Sequence, residues 1–352
     1  MPKTVPVRFV IIGSGGSSSL PNLRHVLQKD AGCKVCHEAW ENPDSKNRRG
    51  NPCLLVTVRD PASEPQHLLV DCGKTFEEAV RRHFPRLGIQ GVNAVLLTHG
   101  HADAILGLDS LREVQLAREP PSQWVLKAKT PIFASRDTVK EVWSHFHYML
   151  PVGSGSPSLR RRTSTSRIAT GLAPHRVADF QKFQPLSGLQ VQPLPVLHGG
   201  TYVCMGFRFG AKGEFIYLSD VSKVPDDTMA ILKSTQAEVL VVDALLKSGP
   251  HYSHFGLPQA LELVRLLRPK RALLIGMSCQ FDHFHDNQEL FKLRSEGLHV
   301  ELSYDGLELE MNLTLDDDVP LLEEETYELQ LPPPPPSRLS RLRVLGRCLC
   351  CS

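Results

Sequence analysis

The sequence predicts a four-layer α/β/β/α sandwich, in which two β-sheets face each other and a layer of helices covers the outer face of each sheet. Short apolar segments of strand length recur along the 352 residues, amphipathic helical segments separate them, and strands come first in each half of the chain. Apolar residues make up 41% of the chain and charged residues 22%, which suffices for a sizeable core. We therefore expect one ordered domain over residues 1–313.

The first half of this domain begins with a strand over residues 5–12, in which Val5, Val7, Phe9 and Ile11 share one face. The strand runs into a glycine-rich turn, GSGG, whose dinucleotide fingerprint is incomplete, so we expect a tight turn beside an active site. The next segments are a polar, cysteine-bearing loop over 33–53, strands over 54–58, 67–71 and 92–97, and a helix over 137–149.

Residues 151–180 are rich in Ser, Arg, Gly and Pro and have no periodicity, which predicts a flexible insertion. The second half then contains strands near 189–197, 202–209, 214–218 and 238–242, a helix over 257–267, a strand over 271–276, a helix near 287–296 and a hairpin around 304–306. Residues 314–352 hold an acidic run, five consecutive prolines and a cysteine-containing end, and this composition predicts a disordered tail.

The strongest chemical signal is the segment THGHAD, which begins at Thr98 and directly follows an apolar strand. His99 and His101, one residue apart at a strand end, can turn their rings to one side, and Asp103 reaches the same volume. Imidazole and carboxylate ligands suit Zn²⁺, Mn²⁺ or Fe²⁺. Taken alone, the motif could also be a surface loop that happens to contain histidines.

Three other polar residues also follow apolar strands. His198 follows the segment VL, Asp220 follows IYLS, and Asp71 follows LLV. Because strand ends meet at an edge of a sandwich, we expect these side chains to converge with the THGHAD segment on one metal site.

The order Asp71, His99-x-His101-x-Asp103, His198, Asp220 resembles the metallo-β-lactamase superfamily, and within it the PhnP-type phosphodiesterases, which cleave cyclic phosphodiesters. The resemblance covers roughly residues 5–311. Its specific details are a Cys-x-x-Cys loop after the first strand, the segment NRR at 47–49, and His254 before an amphipathic helix.

The resemblance implies a role for each of these side chains. His99, His101 and His198 would hold the first metal, Asp220 would bridge two metals, Asp103 would bind the second, Asp71 would support the histidine cluster, and His254 would donate a proton to the leaving oxygen. The implied reaction is hydrolysis of a small phosphodiester by metal-activated water, which Asp103 orients and deprotonates. A solvent-exposed residue at a helix start is the alternative for His254.

Two departures from the family pattern affect the second metal. The usual motif ends in Asp-His, whereas position 104 is Ala, and the usual late metal-binding histidine is replaced by Gly276. We expect one tightly bound catalytic ion, zinc with manganese or iron as alternatives, with Asp220 as its fourth ligand and a second ion weak or absent. Asp282 and His283 could supply donor atoms to a second metal ion, or they could lie in an exposed loop.

Two other functions remain as alternatives. The chain could be a hydrolase of RNA ends or thioesters, or it could be a non-catalytic metal-binding scaffold.

A separate structural zinc is predicted from the Cys33-x-x-Cys36 spacing, which provides half of a tetrahedral site. In the family that the sequence resembles, a similar loop is joined by zinc to a late histidine, and that position is Cys279 here. His25 is the expected fourth ligand, with Cys53 and His37 as rivals.

Charge and hydropathy bear on partners and location. The formal charge of +2 does not indicate the strongly basic surface of a dedicated nucleic-acid binder. The arginines of 159–167 are typical of a solvated loop. No apolar run is long enough to span a bilayer and no signal peptide is evident, so we expect a cytoplasmic protein, with a nuclear location left open. In that compartment, nine cysteines are thiols or metal ligands rather than disulfides. The physiological substrate and the oligomeric state stay open.

Overall fold

The computed structural model describes residues 3–28, 32–60, 63–119, 123–126, 129–150 and 171–321. The strands are β1 (Thr4–Gly13), β2 (Cys53–Val58), β3 (Gln66–Val70), β4 (Ala94–Leu96), β5 (Leu116–Glu119), β6 (Gln123–Leu126), β7 (Thr130–Ala134), β8 (Leu172–Arg176), β9 (Phe183–Leu186), β10 (Leu189–Leu197), β11 (Val203–Phe209), β12 (Phe215–Leu218), β13 (Val239–Asp243), β14 (Arg271–Ile275), β15 (Val300–Leu302) and β16 (Leu307–Thr314). The helices are α1 (Leu23–Leu27), α2 (Lys34–Glu41), α3 (Phe76–Leu87), α4 (Ala102–Ile105), α5 (Leu108–Leu111), α6 (Arg136–Phe146), α7 (Asp226–Lys233), α8 (Leu257–Leu267) and α9 (His283–Phe291).

Two seven-stranded sheets form the centre of the structure. The first has the order β16-β1-β2-β3-β4-β7-β8 and the second has the order β15-β14-β13-β12-β11-β10-β9. In each sheet, antiparallel pairing changes to parallel pairing part of the way across, at β3/β4 and at β12/β13. The carboxyl ends of β3, β4, β10, β12, β13 and β14 carry loops that contribute to the candidate site.

Three apolar layers confirm the predicted four-layer sandwich. One cluster lies between the two sheets and includes Phe9, which stacks on Phe215 with ring centroids 3.9 Å apart. A second cluster joins the first sheet to α3–α6, and Phe84 and Val142 belong to it. A third joins the second sheet to α7–α9. Burial on both faces explains why strands such as β2 and β13 are buried along their whole length and largely apolar rather than alternating.

Several predicted boundaries were wrong. Helix α2 lies inside the predicted loop over 33–53, and it buries only Cys36 and Ala39, so its apolar periodicity is weak. Residues 172–176 of the predicted insertion form β8, which pairs in parallel with β7, whereas residues 151–170, including the arginines noted above, lie outside the described residues.

The predicted terminal hairpin was also wrong. The turn around 304–306 exists, but β15 pairs with β14 in the second sheet and β16 pairs with β1 in the first. The turn therefore links the two sheets. Residues 315–321 of the predicted tail pack against the second sheet, since Gln184 donates to the carbonyls of Val319 and Pro320. Residues 322–352 lie outside the described residues.

No helix in the described part of the chain combines the length and the apolar character needed to cross a lipid bilayer.

Candidate active site

The structure brings three of the predicted histidines together. Ring nitrogens of His99, His101 and His198 lie within 4.8 Å of one another, and the ring centroids are separated by 4.6 to 5.1 Å. His99 and His101 follow β4, whereas His198 follows β10 of the other sheet, so the cluster spans the two sheets at one edge.

A chain of hydrogen bonds fixes the ring of His99. Asp71, at the end of β3, adopts a left-handed backbone conformation with φ of 65°, and its carboxylate accepts the amide N–H and the hydroxyl of Thr98, both at 2.8 Å. Because the Thr98 hydroxyl donates to Asp71, its oxygen accepts from Nδ1 of His99 at 2.8 Å. Nε2 of His99 therefore carries a lone pair, and this buried atom has no hydrogen-bond partner among the described residues.

The other two rings are held differently. Nδ1 of His198 donates to the carbonyl of Ser253 at 2.8 Å, which again leaves Nε2 as the acceptor. The ring of His101 stacks on Tyr202 with centroids 4.8 Å apart and an angle of 6°. Burial lowers the pKa of His99 to about 4 and also lowers that of His198, so both rings are neutral near pH 7.

Two predicted carboxylates border this cluster. A carboxylate oxygen of Asp220 lies within 4.8 Å of ring nitrogens of His198 and His254. Burial opposes ionisation of Asp220, but His99, His254 and His198 outweigh it and hold its pKa below the usual value. Asp103 lies in α4 with Oδ1 3.9 Å from Nε2 of His99, and burial, followed by the charge of Asp220, raises its pKa.

His254 forms a buried pair with a residue that the sequence reasoning missed. Its Nδ1 donates to Oδ2 of Asp243 at 2.8 Å, and the same oxygen accepts the amide N–H of Val221 at 3.0 Å. Burial alone would lower the pKa of His254, but Asp243 and Asp220 outweigh it and raise the pKa to about 9. Burial raises the pKa of Asp243 to about 6, so at neutral pH the two groups form an ion pair. Asp243 ends the apolar strand VLVVD, which is the signal that identified Asp71 and Asp220.

The positions that depart from the family pattern supply no donor atoms. Ala104 is buried, and Gly276 has φ of 77° with an ideal Cβ only 2.6 Å from Oδ1 of Asp243. Any side chain at position 276 would therefore collide with the carboxylate that holds His254. Asp282 and His283 are engaged elsewhere, since the Asp282 carboxylate caps α9 and the ring of His283 packs against Tyr304.

The residues of the predicted structural zinc site form a second cluster. Single donor atoms of His25, Cys33, Cys36 and Cys279 all lie within 4.8 Å of one another. Nδ1 of His25 is 3.4 Å from Sγ of Cys36 and 3.6 Å from Sγ of Cys279, whose pKa is lowered to about 5, chiefly by Cys36. The two rivals are outside this cluster; the thiol of Cys53 donates instead to the carbonyl of Asp71.

A cleft of about 690 Å³ opens onto the histidine cluster. Its lining includes His101, Asp103, His198 and His254, and it also includes the serine-rich loop of residues 17–19, Arg24 and Lys74. This volume is suited to a small molecule.

Solved structures with the same fold are similar to this chain. A crystal structure described as a new diphosphatase from the PhnP family is 27% identical, with a TM-score of 0.67, and the match covers 89% of this chain and all of the other. Zinc-bound PqqB from Methylobacterium extorquens is 17% identical with a TM-score of 0.60, and the match covers 86% of this chain and all of the other. The metallo-β-lactamase fold protein YhfI from Bacillus subtilis is 16% identical with a TM-score of 0.58, over 87% of this chain and all of the other. At these identities the last two show the fold alone.

A curated relative is the octanoyltransferase of Porphyromonas gingivalis, which is 26% identical over 329 residues. The match covers 92% of this chain but 56% of the relative, so the chain spans little more than half the length of that protein.

A sequence profile described as "Beta-lactamase superfamily domain" matches residues 66–277, a range that includes Asp71, the histidine cluster, Asp220 and His254. This match covers more than half of the chain, and together with the PhnP-family structure it identifies the chain as a PhnP-like member of the β-lactamase superfamily, a hydrolase of the metallo-β-lactamase fold with a divalent metal site.

Proposed function

We propose that the protein is a metal-dependent phosphodiesterase that cleaves small phosphodiesters, cyclic ones among them. The observation that carries this proposal is the arrangement of acceptor and donor groups in the cleft. The neutral imidazoles of His99 and His198 have free Nε2 lone pairs, and Asp220 lies within 4.8 Å of both His198 and the positively charged His254. The similarity to a PhnP-family diphosphatase supports phosphorus as the reacting centre.

The chemistry of the donor set fits a divalent ion. His99 Nε2 is a buried acceptor without a partner among the described residues, which costs free energy unless a cation or a hydrogen-bond donor contacts it. His99, His101 and His198, with Asp220 as a fourth ligand, would hold zinc, or alternatively manganese or iron. Such an ion, when bound, acidifies a water molecule and polarises the phosphoryl oxygens. With Ala104 and Gly276 lacking donors, a second ion would be weakly held or absent.

The chain's own residues supply the proton transfers. Asp103 has a raised pKa because of burial, so its carboxylate can orient the attacking water and accept its proton. Water adds to phosphorus and one ester P–O bond breaks. His254 is cationic at neutral pH and its Nδ1 is bonded to Asp243, so Nε2–H is the proton available to the leaving oxygen. Asp71 acts through Thr98 by holding His99 in the required tautomer.

We also propose that His25, Cys33, Cys36 and Cys279 bind a structural zinc that joins α1 and α2 to the loop after β14. Cysteine thiolates and one histidine form a ligand set that zinc prefers. A site of reduced thiols suits the cytoplasm, which we infer as the location.

The test combines metal analysis with turnover. Purified protein should contain tightly bound divalent metal and should hydrolyse bis(4-nitrophenyl) phosphate and 2′,3′-cyclic nucleotides. His254→Ala should retain its metal and lose about a hundredfold or more in turnover of esters with poor leaving groups. Bound metal without hydrolysis of any phosphodiester would support a non-catalytic scaffold instead.

A thioesterase or ester hydrolase is the second candidate, because the curated relative is named for transfer of an octanoyl group. That name belongs to a protein of which this chain spans little more than half, so the acyl chemistry could reside in the remainder. Octanoyl thioesters and 4-nitrophenyl octanoate, assayed beside the phosphodiesters, discriminate the two candidates.

A further inference from the structure

We propose that Tyr252 is a specificity-determining residue, whose ring forms a platform at the rim of the cleft on which the base of a nucleoside phosphodiester stacks. This inference rests on the proposed phosphodiesterase function, and it narrows the substrate class to esters that carry a flat heteroaromatic group. Its basis is the place of the ring beside the reacting groups, the turn that supports the ring, and the exposure of the rest of the side chain.

Tyr252 lies between two residues of the cleft lining. His251 and Ser253, its neighbours in the sequence, both line the cleft, and the carbonyl of Ser253 accepts from Nδ1 of His198 at 2.8 Å. His254 follows directly, and its ring centroid lies 4.7 Å from that of His198. Tyr252 is therefore held at the side of the cleft where the proposed proton transfer to the leaving oxygen takes place.

The turn after β10 supports the ring of Tyr252. Gly199 and Gly200 both have left-handed backbone conformations, with φ of 87° and 53°. A Cβ at Gly199 would lie 2.8 Å from Cε1 of Tyr252, and a Cβ at Gly200 would lie 2.5 Å from the phenolic oxygen. The two glycines thus make room for the ring, which packs against the backbone that follows His198. A ring that is already held in place loses little conformational entropy when a ligand binds to it.

The rest of this side chain is open to solvent. Tyr252 is 79% exposed, so at least one face of its ring is accessible to a flat ligand. Within the part of the chain that the structure describes, no other aromatic ring pairs with Tyr252, no cation lies over it, and its hydroxyl has no hydrogen-bond partner. The protein therefore orders this aromatic ring beside the reacting groups without using its face for packing.

These surroundings favour a nucleobase over an alkyl chain. An octanoyl chain would gain little at one exposed ring, because the hydrophobic effect scales with the apolar area that is removed from water. A nucleobase is flat, so a single aromatic ring covers one of its faces while its polar edges stay in water. In a nucleoside phosphodiester the base is joined to the ester through one sugar. A phosphorus atom at the histidine cluster and a base at the rim can therefore belong to one molecule.

A pair of cyclic esters tests the platform. Adenosine 2′,3′-cyclic phosphate and methyl β-D-ribofuranoside 2′,3′-cyclic phosphate have the same scissile bonds, and they differ in carrying adenine or a methoxy group on the sugar. We expect wild-type protein to favour the adenosine ester by about tenfold or more in kcat/KM, chiefly through KM, because one base–aromatic stack typically strengthens binding by about five- to a hundredfold. Tyr252→Ala should reduce this preference to about twofold, and Tyr252→Phe should keep it.

Two further variants serve as controls. Tyr252→Leu keeps an apolar side chain but removes the flat ring, so it should lose the preference as Tyr252→Ala does. Tyr148→Ala removes another exposed tyrosine, which is outside the cleft lining and donates to Asp109, and it should keep the preference fully.

The outcomes separate this inference from the proposed function. Wild-type protein without a preference for the adenosine ester, or an undiminished preference in Tyr252→Ala or Tyr252→Leu, overturns the stacking platform while the phosphodiesterase function stands. If neither ester is cleaved, the proposed function fails and titration calorimetry decides on the platform. Tighter binding of adenosine 5′-monophosphate than of ribose 5-phosphate, lost in Tyr252→Ala, then supports it, and equal affinities overturn it.

Discussion

Oδ2 of Asp243 lies 2.8 Å from Nδ1 of His254, and the other oxygen of this carboxylate lies where a side chain at position 276 would have to go. The residue that the family pattern places at position 276 is a metal-binding histidine, and this chain has glycine instead. The loss of a potential ligand and the buried Asp243–His254 pair are therefore two aspects of one arrangement.

The first prediction concerns this pair. Asp243→Asn should keep the shape of the site but remove the negative charge that keeps His254 protonated, so turnover should fall by about ten- to a hundredfold for a phosphodiester with a poor leaving group. The loss should be much smaller for a 4-nitrophenyl ester, because that leaving group needs little protonation. Steady-state kinetics with both esters, alongside metal content, is the measurement.

A companion variant checks the geometry. Gly276→Ala introduces a Cβ 2.6 Å from Oδ1 of Asp243 at a backbone φ of 77°, so it should displace the carboxylate and reproduce the same leaving-group dependence. Equal losses for good and poor leaving groups in Asp243→Asn would contradict a role through His254.

The second prediction concerns Tyr202. Its ring stacks on the ring of His101, whereas the rings of His99 and His198 are held by hydrogen bonds. Tyr202→Ala should weaken metal binding by about tenfold, the lower end for loss of a group that orients a metal ligand. Tyr202→Phe keeps the stack and removes only the hydroxyl that accepts the exposed amide N–H of Gly100 at 3.2 Å, so its loss should be smaller than that of Tyr202→Ala. Titration of metal-free protein with Co²⁺ in the Cys33→Ser, Cys36→Ser background, followed by its visible absorption, measures this affinity without a signal from the proposed structural site. Wild-type affinity in Tyr202→Ala would show that the stack does not orient the ligand.

The fold and much of the site could be predicted because burial on both faces makes the strands apolar, and because a polar residue directly after such a strand stands out. His99, His198, Asp220 and Asp71 were found in this way. Asp243 carries the same signal at the end of the strand VLVVD, but it is not among the residues predicted for the site. The turn at 304–306 has a clear local signal, yet no local signal tells whether the strands that flank a turn pair with each other; here they join different sheets. Helix α2 was not predicted, because its two buried side chains leave little apolar periodicity in the sequence.

The third prediction concerns acid stability. His83 is buried, and burial with the nearby Arg82 and Arg86 lowers its pKa to about 4. Between pH 6.5 and pH 4 the unfolded chain binds a proton here that the folded protein does not, so the free energy of unfolding falls as the pH falls. His83→Gln should reduce the slope of the free energy of unfolding against pH by up to about 1 kcal/mol per pH unit between pH 5 and 6. Urea unfolding at several pH values measures it, and an unchanged slope in the variant would contradict the assignment.

The last prediction separates the two proposed metal sites by stoichiometry. In the double variant Cys33→Ser, Cys36→Ser, two of the four clustered donors lose their affinity for zinc, so the structural ion should be absent and the protein less stable. One tightly held ion should then remain per chain, on the side of His99, His101 and His198, because Ala104 and Gly276 leave a second catalytic position with too few donors. Cys53→Ser is the matched control, since Cys53 is outside the cluster and its removal should not change the metal count. Elemental analysis after dialysis against a weak chelator gives the number of ions in each variant. Two ions in the double variant would mean that Asp103, Asp220 and further donors rebuild a dinuclear centre, and the expectation of a single catalytic ion would then be wrong.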